Sequence, residues 1–154
     1  MNNTNFTRQK FNSIIDESDK EAPLNIAMAS SFYMASFKCE NIKILKAKEN
    51  AICDYNIIAT APNNTAAINL CMSLESALKK KRVKIYSLEG LNEGEWVLLD
   101  LGDIILHVFN ETSRDIYGLD ELWSDNENIS IPAEYYMPVV DEEATSDGSL
   151  ENYF

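Results

Sequence analysis

One stretch, residues 95–123 (EWVLLDLGDIILHVFNETSRDIYGLDELW), limits what this chain can fold into; it holds both tryptophans and the only histidine. WVLL (96–99) and IILHVF (104–109) are apolar runs of strand length, rich in branched and aromatic residues. Such runs without clean alternation are expected in strands covered on both faces. Asp100, Leu101, Gly102 and Asp103 lie between them. A glycine there supplies the positive φ of a tight turn, so the two runs read as a hairpin. Thr112 followed by Asp115 has capping-box spacing, which predicts a helix N-terminus at Thr112. Ile116, Leu119, Leu122 and Trp123 then recur at helical spacing, with Gly118 weakening that helix by roughly 1 kcal/mol relative to alanine.

Upstream, the chain supplies sheet partners and helical cover. Residues 1–22 read as a polar segment, in which Phe6, Phe11, Ile14 and Ile15 support a helical turn or two. A helix is predicted over 23–38, entered through Pro23, with an apolar girth broad enough for burial in the core or at a dimer contact. IKILKA (42–47) alternates apolar residues with lysine, the pattern of an edge or half-exposed strand. DYNIIATA (54–61) is more apolar and therefore more central. Asn63 or Asn64 caps the next helix, which runs to about Lys81 with Ala67, Leu70, Cys71, Leu74, Ala77 and Leu78 inward. Lys79, Lys80, Lys81 and Arg82 close it, complementing the helix dipole or forming a nucleic-acid patch. Residues 83–88 read as a third central strand, which makes 54–88 a parallel strand–helix–strand crossover. The order of elements predicts a single α/β domain over 23–123, a mixed β-sheet covered by helices.

Charge is unevenly distributed. Residues 1–110 carry 13 acidic and 12 basic side chains, whereas 111–154 carry 12 acidic residues and one base, Arg114. The formal net charge of −12 therefore lies almost wholly after the last strand of the hairpin. Such a chain repels phosphate backbones, so little direct nucleic-acid binding is expected, and a basic protein partner is favoured by electrostatic complementarity. From Ser124 the pattern dissolves into an acidic C-terminal extension, 124–154. It contains an apolar island (Ile129, Ile131, Pro132, Tyr135, Tyr136, Met137, Pro138, Val139) that either folds back on the domain or binds a partner. No run approaches the roughly 20 apolar residues of a membrane span, and the first twenty residues lack the apolar core of a signal peptide. A cytoplasmic location follows as the expectation, with no membrane partner.

Catalytic constellations do not emerge. No phosphate-binding loop or dinucleotide glycine fingerprint occurs. One histidine excludes a two-histidine metal site, and His107 sits in an apolar strand, where a structural role is the simpler reading. Asp100 and Asp103 are explained by the turn at Gly102 rather than by a metal. Cys39, Cys53 and Cys71 match neither a zinc pattern nor a disulfide framework and read as buried or half-buried thiols. No cofactor or catalytic residue is assigned.

The ordered series Asp54-Tyr55, Glu89-Gly90, Trp96, Asp100-x-Gly102-Asp103, His107-Val108-Phe109, Arg114, Tyr117, Leu119 and Leu122-Trp123 resembles the Iojap family, the ribosomal silencing factors RsfS, over about residues 24–124. The resemblance implies a nucleotidyltransferase-like α/β fold without catalytic residues. It also implies a non-enzyme that binds the large ribosomal subunit through its fourteenth protein, blocks subunit joining and represses translation, with possible homodimers. The partner-binding positions carried over are Trp96, Leu99, Asp100 and Leu101, with Leu119 and Trp123 added from the following helix. Lys46, Asn63, Ala66 and Glu121 depart from the family pattern, and 124–154 lies beyond the shared region. Two other readings compete: a nucleotidyltransferase-like enzyme with an unrecognised site, which magnesium-dependent nucleotide binding would reveal, and an acidic dimerising scaffold.

Overall fold

A computed structural model describes residues 2–17 and 22–136. In chain order the elements are α1 (Asn2–Ile15), α2 (Leu24–Ser36), β1 (Glu40–Lys46), β2 (Tyr55–Thr60), α3 (Asn64–Lys80), β3 (Ser87–Glu89), β4 (Trp96–Asp100), β5 (Ile104–Phe109), α4 (Glu111–Tyr117), α5 (Leu119–Leu122), β6 (Glu127–Ile129) and α6 (Ala133–Tyr136). The strands form one mixed sheet in the order β3-β4-β5-β2-β1-β6.

The most apolar strands take the centre. All six residues of β5 are buried, and β5 runs parallel to β2 with Tyr55 opposite Ile104 and Thr60 opposite Phe109. The parallel crossover therefore ends at β5, not at residues 83–88. Those residues form no central strand: only Ser87–Glu89 pairs, antiparallel to β4 at the sheet edge. The β4–β5 hairpin forms as expected, turning at Gly102 with φ 86°. Asp100 accepts the Gly102 amide through Oδ1 at 2.8 Å, which accounts for that aspartate in the turn. Asn63 caps α3, accepting from the Ala66 amide at 2.8 Å. Ala67, Leu70, Cys71, Leu74 and Leu78 are buried as the pattern predicts.

Alternation divides the sheet into two faces. Ile44, Ile57, Ala59, Val97, Leu99, Ile104, Leu106 and Val108 face the major core beneath α2 and α3. The girth of α2 is taken up within the chain, because α1, α3, α6 and the sheet all pack on it. The opposite face carries a smaller cluster, Leu45, Ile58, Phe109 and Leu119, with Trp96 and Trp123 packed against it.

Several expectations are corrected. The N-terminal segment is not limited to a marginal turn: α1 spans 14 residues, and Phe11 and Ile14 are essentially inaccessible against α2. β1 is the half-exposed strand of the two alternatives and not an edge, since β6 pairs outside it with Ile44 opposite Ile129. The pattern does not dissolve at Ser124. β6 extends the sheet, and α6 places Tyr135 edge-on to Phe32, with ring centroids 6.0 Å apart. The apolar island thus folds back through Tyr135; Met137, Pro138 and Val139 lie outside the described residues. Thr112 is not the helix cap. Asn110 is, accepting from the Ser113 amide at 2.7 Å and donating to Asn64 Oδ1 at 2.8 Å. Nor does one helix run to Trp123. Gly118, at φ 64°, ends α4 and starts α5.

Candidate functional site

The second face of the hairpin is only partly covered. Strand β4 alternates, with Val97 and Leu99 buried and Trp96, Leu98 and Asp100 half-buried. It is therefore not covered on both faces, unlike β5. Cover on this side comes from α4 and α5, and Arg114 bolts them to the sheet. The guanidinium is 7% exposed. It grips Asp120 through two bonds of 2.9 and 3.0 Å. Nη1 also donates to the Asn41 carbonyl at 2.6 Å and to Thr60 Oγ1 at 3.0 Å. Lys43 adds a 3.0 Å contact to Asp120. The hydrogen bonds from Arg114, then those from Lys43, hold the Asp120 carboxyl down at about 2.

Where that cover stops, an aromatic cluster opens to solvent. The Trp96 ring centroid lies 5.0 Å from Phe109, 4.7 Å from Tyr117 and 5.9 Å from His107. His107 in turn lies 5.5 Å from Trp123. Trp96 and Trp123 are half-buried, while Ile116, Tyr117 and Leu122 beside them are 72%, 52% and 66% exposed. Short α4 and α5 bury Ser113, Arg114 and Leu119 and leave these three residues pointing outward. Along one side, a cleft of about 530 Å³ is lined by Trp96, Tyr117, Glu93 and Glu95 among others.

His107 fixes the indole from below. Trp96 Nε1 donates to His107 Nδ1 at 3.2 Å, so the ring proton sits on Nε2, which faces Asn56 Oδ1 at 3.1 Å. Burial lowers His107 from its ordinary 6.5 to about 4. The neutral ring is the form both hydrogen bonds require, which bears out a structural histidine. The three thiols are buried and free, and burial pushes Cys39 and Cys71 up to about 12. Among the described residues no group of three His, Cys, Asp or Glu side chains could hold a metal ion, and no helix is long and apolar enough to cross a membrane.

The predicted partner-binding residues divide in two. Trp96, Asp100 and Trp123 reach the open face. Leu99 is fully buried, and Leu101 and Leu119 are 8% and 9% exposed. These three leucines support the surface from the core and do not form it. Leu98, Ile116, Tyr117 and Leu122 were missed as surface residues. The i, i+2 relation of Leu98 to Trp96 and Asp100 was a usable signal for the first. The other three could not be placed without the break at Gly118.

The model of the family described as "Ribosomal silencing factor during starvation" matches residues 20–152, running through 124–152, which the resemblance had left outside. The ribosomal silencing factor RsfS of Halalkalibacterium halodurans is 30% identical over 95 residues, covering 61% of this chain and 81% of that protein. The Iojap-related mitochondrial protein of Arabidopsis thaliana is 26% identical over 97 residues, covering 59% of this chain and 52% of its own length. A crystal structure of a Chromobacterium violaceum protein superposes with a TM-score of 0.58 at 30% identity, covering 70% of this chain and 92% of that one.

Proposed function

The chain belongs to the family of ribosomal silencing factors during starvation, and from that premise we propose that it binds the large ribosomal subunit through the fourteenth protein of that subunit. Seated there, it blocks the small subunit sterically and represses translation in the cytoplasm, without catalysis. The observation that carries this reading is the open aromatic face: Trp96 and Trp123 half-buried, with Tyr117, Ile116 and Leu122 exposed around them. Large rings held rigid from below and open above suit hot spots, which gain most when a partner excludes water from them. Asp100 is half-exposed and Glu93, Glu95 and Glu121 are exposed beside that face, whereas Asp120 is already paired with Arg114 and Lys43. That surface favours a basic partner by complementarity.

Co-sedimentation with isolated subunits tests the proposal. The protein is expected to pellet with large subunits and to remain in the supernatant with small ones. Pelleting with small subunits alone, or with neither, would overturn it.

A further inference from the structure

Five of the chain's 13 basic residues fall within six positions, 79–84, in a protein of net charge −12. Two of them are engaged: Lys79 lies 3.7 Å from Glu75 and Lys81 lies 2.8 Å from Asp16. Lys80, Arg82 and Lys84 are exposed and make no ion pair among the described residues. The helix dipole accounts for Lys79 and Lys80 in the last turn of α3, but its effect fades beyond that turn, where Arg82 and Lys84 lie.

Residues 82–86 form a ribbon that leads from the turn closing α3, at Arg82, into β3. Val83 and Ile85 are partly buried against the major core, whereas Arg82, Lys84 and Tyr86 are exposed. Arg82 occupies φ 61°, directly after the helix cap, where glycine is the unstrained choice. The backbone therefore does not explain an arginine there. Tyr86 is 59% exposed, with the Lys84 ammonium 4.6 Å from its ring centroid. The ribbon abuts the open hairpin face: the Tyr86 amide donates to the Asp100 carbonyl at 2.8 Å. Its ring closes over Gly102, where an added Cβ would lie 2.7 Å from Cε2.

We propose that Lys80, Arg82, Lys84 and Tyr86 form a contact for an unpaired RNA strand, the cations meeting phosphates and the tyrosine stacking on a base. Cations alternating with an exposed ring are the elements of sequence-tolerant single-strand binding. This proposal rests on the reading in which the hairpin face docks on the large subunit, because docking would bring the adjoining ribbon to a surface made of RNA as well as protein. It also revises the expectation of little direct nucleic-acid binding: the net charge is negative, but charges more than about 10 Å away are screened at 0.1 M salt, and the local surface is positive.

The test measures binding of the full chain to a labelled twelve-nucleotide oligouridine at 50 and 200 mM salt, to large subunits, and to vesicles containing anionic lipid. The variants are Lys80→Ser/Arg82→Ser/Lys84→Ser combined, Tyr86→Leu, and Trp96→Ala, each with a melting curve. The triple variant is expected to lose at least tenfold in oligouridine affinity and most of the salt dependence, which runs at about −0.7 per phosphate on single strands. Tyr86→Leu is expected to lose about tenfold through the stacking contribution, and Trp96→Ala to bind oligouridine as wild type does. No oligouridine binding by the wild type at 50 mM salt, or equal binding by the triple variant, would overturn the proposal. Charge-dependent binding to vesicles without oligouridine binding would also overturn it and assign the ribbon to a lipid surface. Oligouridine binding without large-subunit binding would sink the docking reading and leave the RNA contact standing.

Discussion

The Trp96 indole is hydrogen-bonded to His107 on its inner side and half-exposed on its outer side. Removing it affects both folding and docking, and a melting curve taken beside the binding measurement separates the two. Trp96→Ala takes away part of a small cluster and leaves a buried imidazole nitrogen unpaired, which together cost about 2 kcal/mol. Against the roughly 5–15 kcal/mol of an ordinary domain, the variant is expected to stay folded at 25 °C. A central aromatic anchor costs about 2 kcal/mol or more in binding, a loss of about thirtyfold. Affinity for large subunits, measured on a sample shown by its melting curve to be folded, is expected to fall by that factor; a folded variant that binds as tightly as wild type would place Trp96 in the core only. His107 yields an independent prediction. Its pKa is lower folded than unfolded, so between pH 6.5 and about 4 the unfolded chain binds the extra proton. Stability falls as pH drops through that window by about 3 kcal/mol, at roughly 1.4 kcal/mol per unit. A second loss, from Asp120, follows between 3.8 and about 2. Urea titrations across pH 4–7 are expected to show the first slope in wild type and a flatter one in His107→Gln.

At the scale of elements, long apolar runs were legible and short or marginal elements were not. The central strands β2 and β5 announced themselves because both faces are buried, and α3 because its inner face repeats every three or four residues. β3 and β6 have three residues each, too few to show a period. Among the described side chains of α1, Phe11 and Ile14 are buried and Ile15 is partly buried in an otherwise polar sequence, which therefore resembles a solvated tail. In sequence Gly118 reads as a weak point within one helix, whereas its left-handed φ makes it the end of one helix and the start of another. The candidate site was legible as a segment but not as a surface: alternation alone would have turned Leu99 inward, while the exposure of Ile116, Tyr117 and Leu122 depended on that helix break. A truncation prediction follows from β6 and α6. Removing residues 124–154 takes away the pairing of β6 with β1 and the packing of Tyr135 on Phe32. The 1–123 protein is expected to melt several degrees below wild type, whereas a 1–136 protein keeps both contacts and melts near it. Equal melting points for the two truncations would show that β6 and α6 contribute nothing.

For the whole molecule, the acidic end and the basic ribbon have to be weighed together. Residues 137–154 carry five acids and no base. If that charge steers the protein toward a basic ribosomal protein, the 1–136 protein is expected to associate with large subunits more slowly while its dissociation rate changes little. Exposed charges act on encounter through their field, whereas packed contacts set residence time. The difference is expected to fade as the Debye length falls from about 10 Å at 0.1 M salt to about 3 Å at 1 M. A faster dissociation with no salt dependence would instead assign the segment a packed contact. A protein seated on the large subunit in this way keeps the small one off by occlusion. The most direct measurement of that occlusion is the fraction of joined ribosomes formed from purified subunits, followed by light scattering after large subunits are preincubated with excess protein. Wild type is expected to lower that fraction in proportion to its occupancy of the large subunit, and Trp96→Ala to leave it nearly unchanged at the same concentration. Undiminished joining with the large subunit fully occupied by wild-type protein would contradict the account.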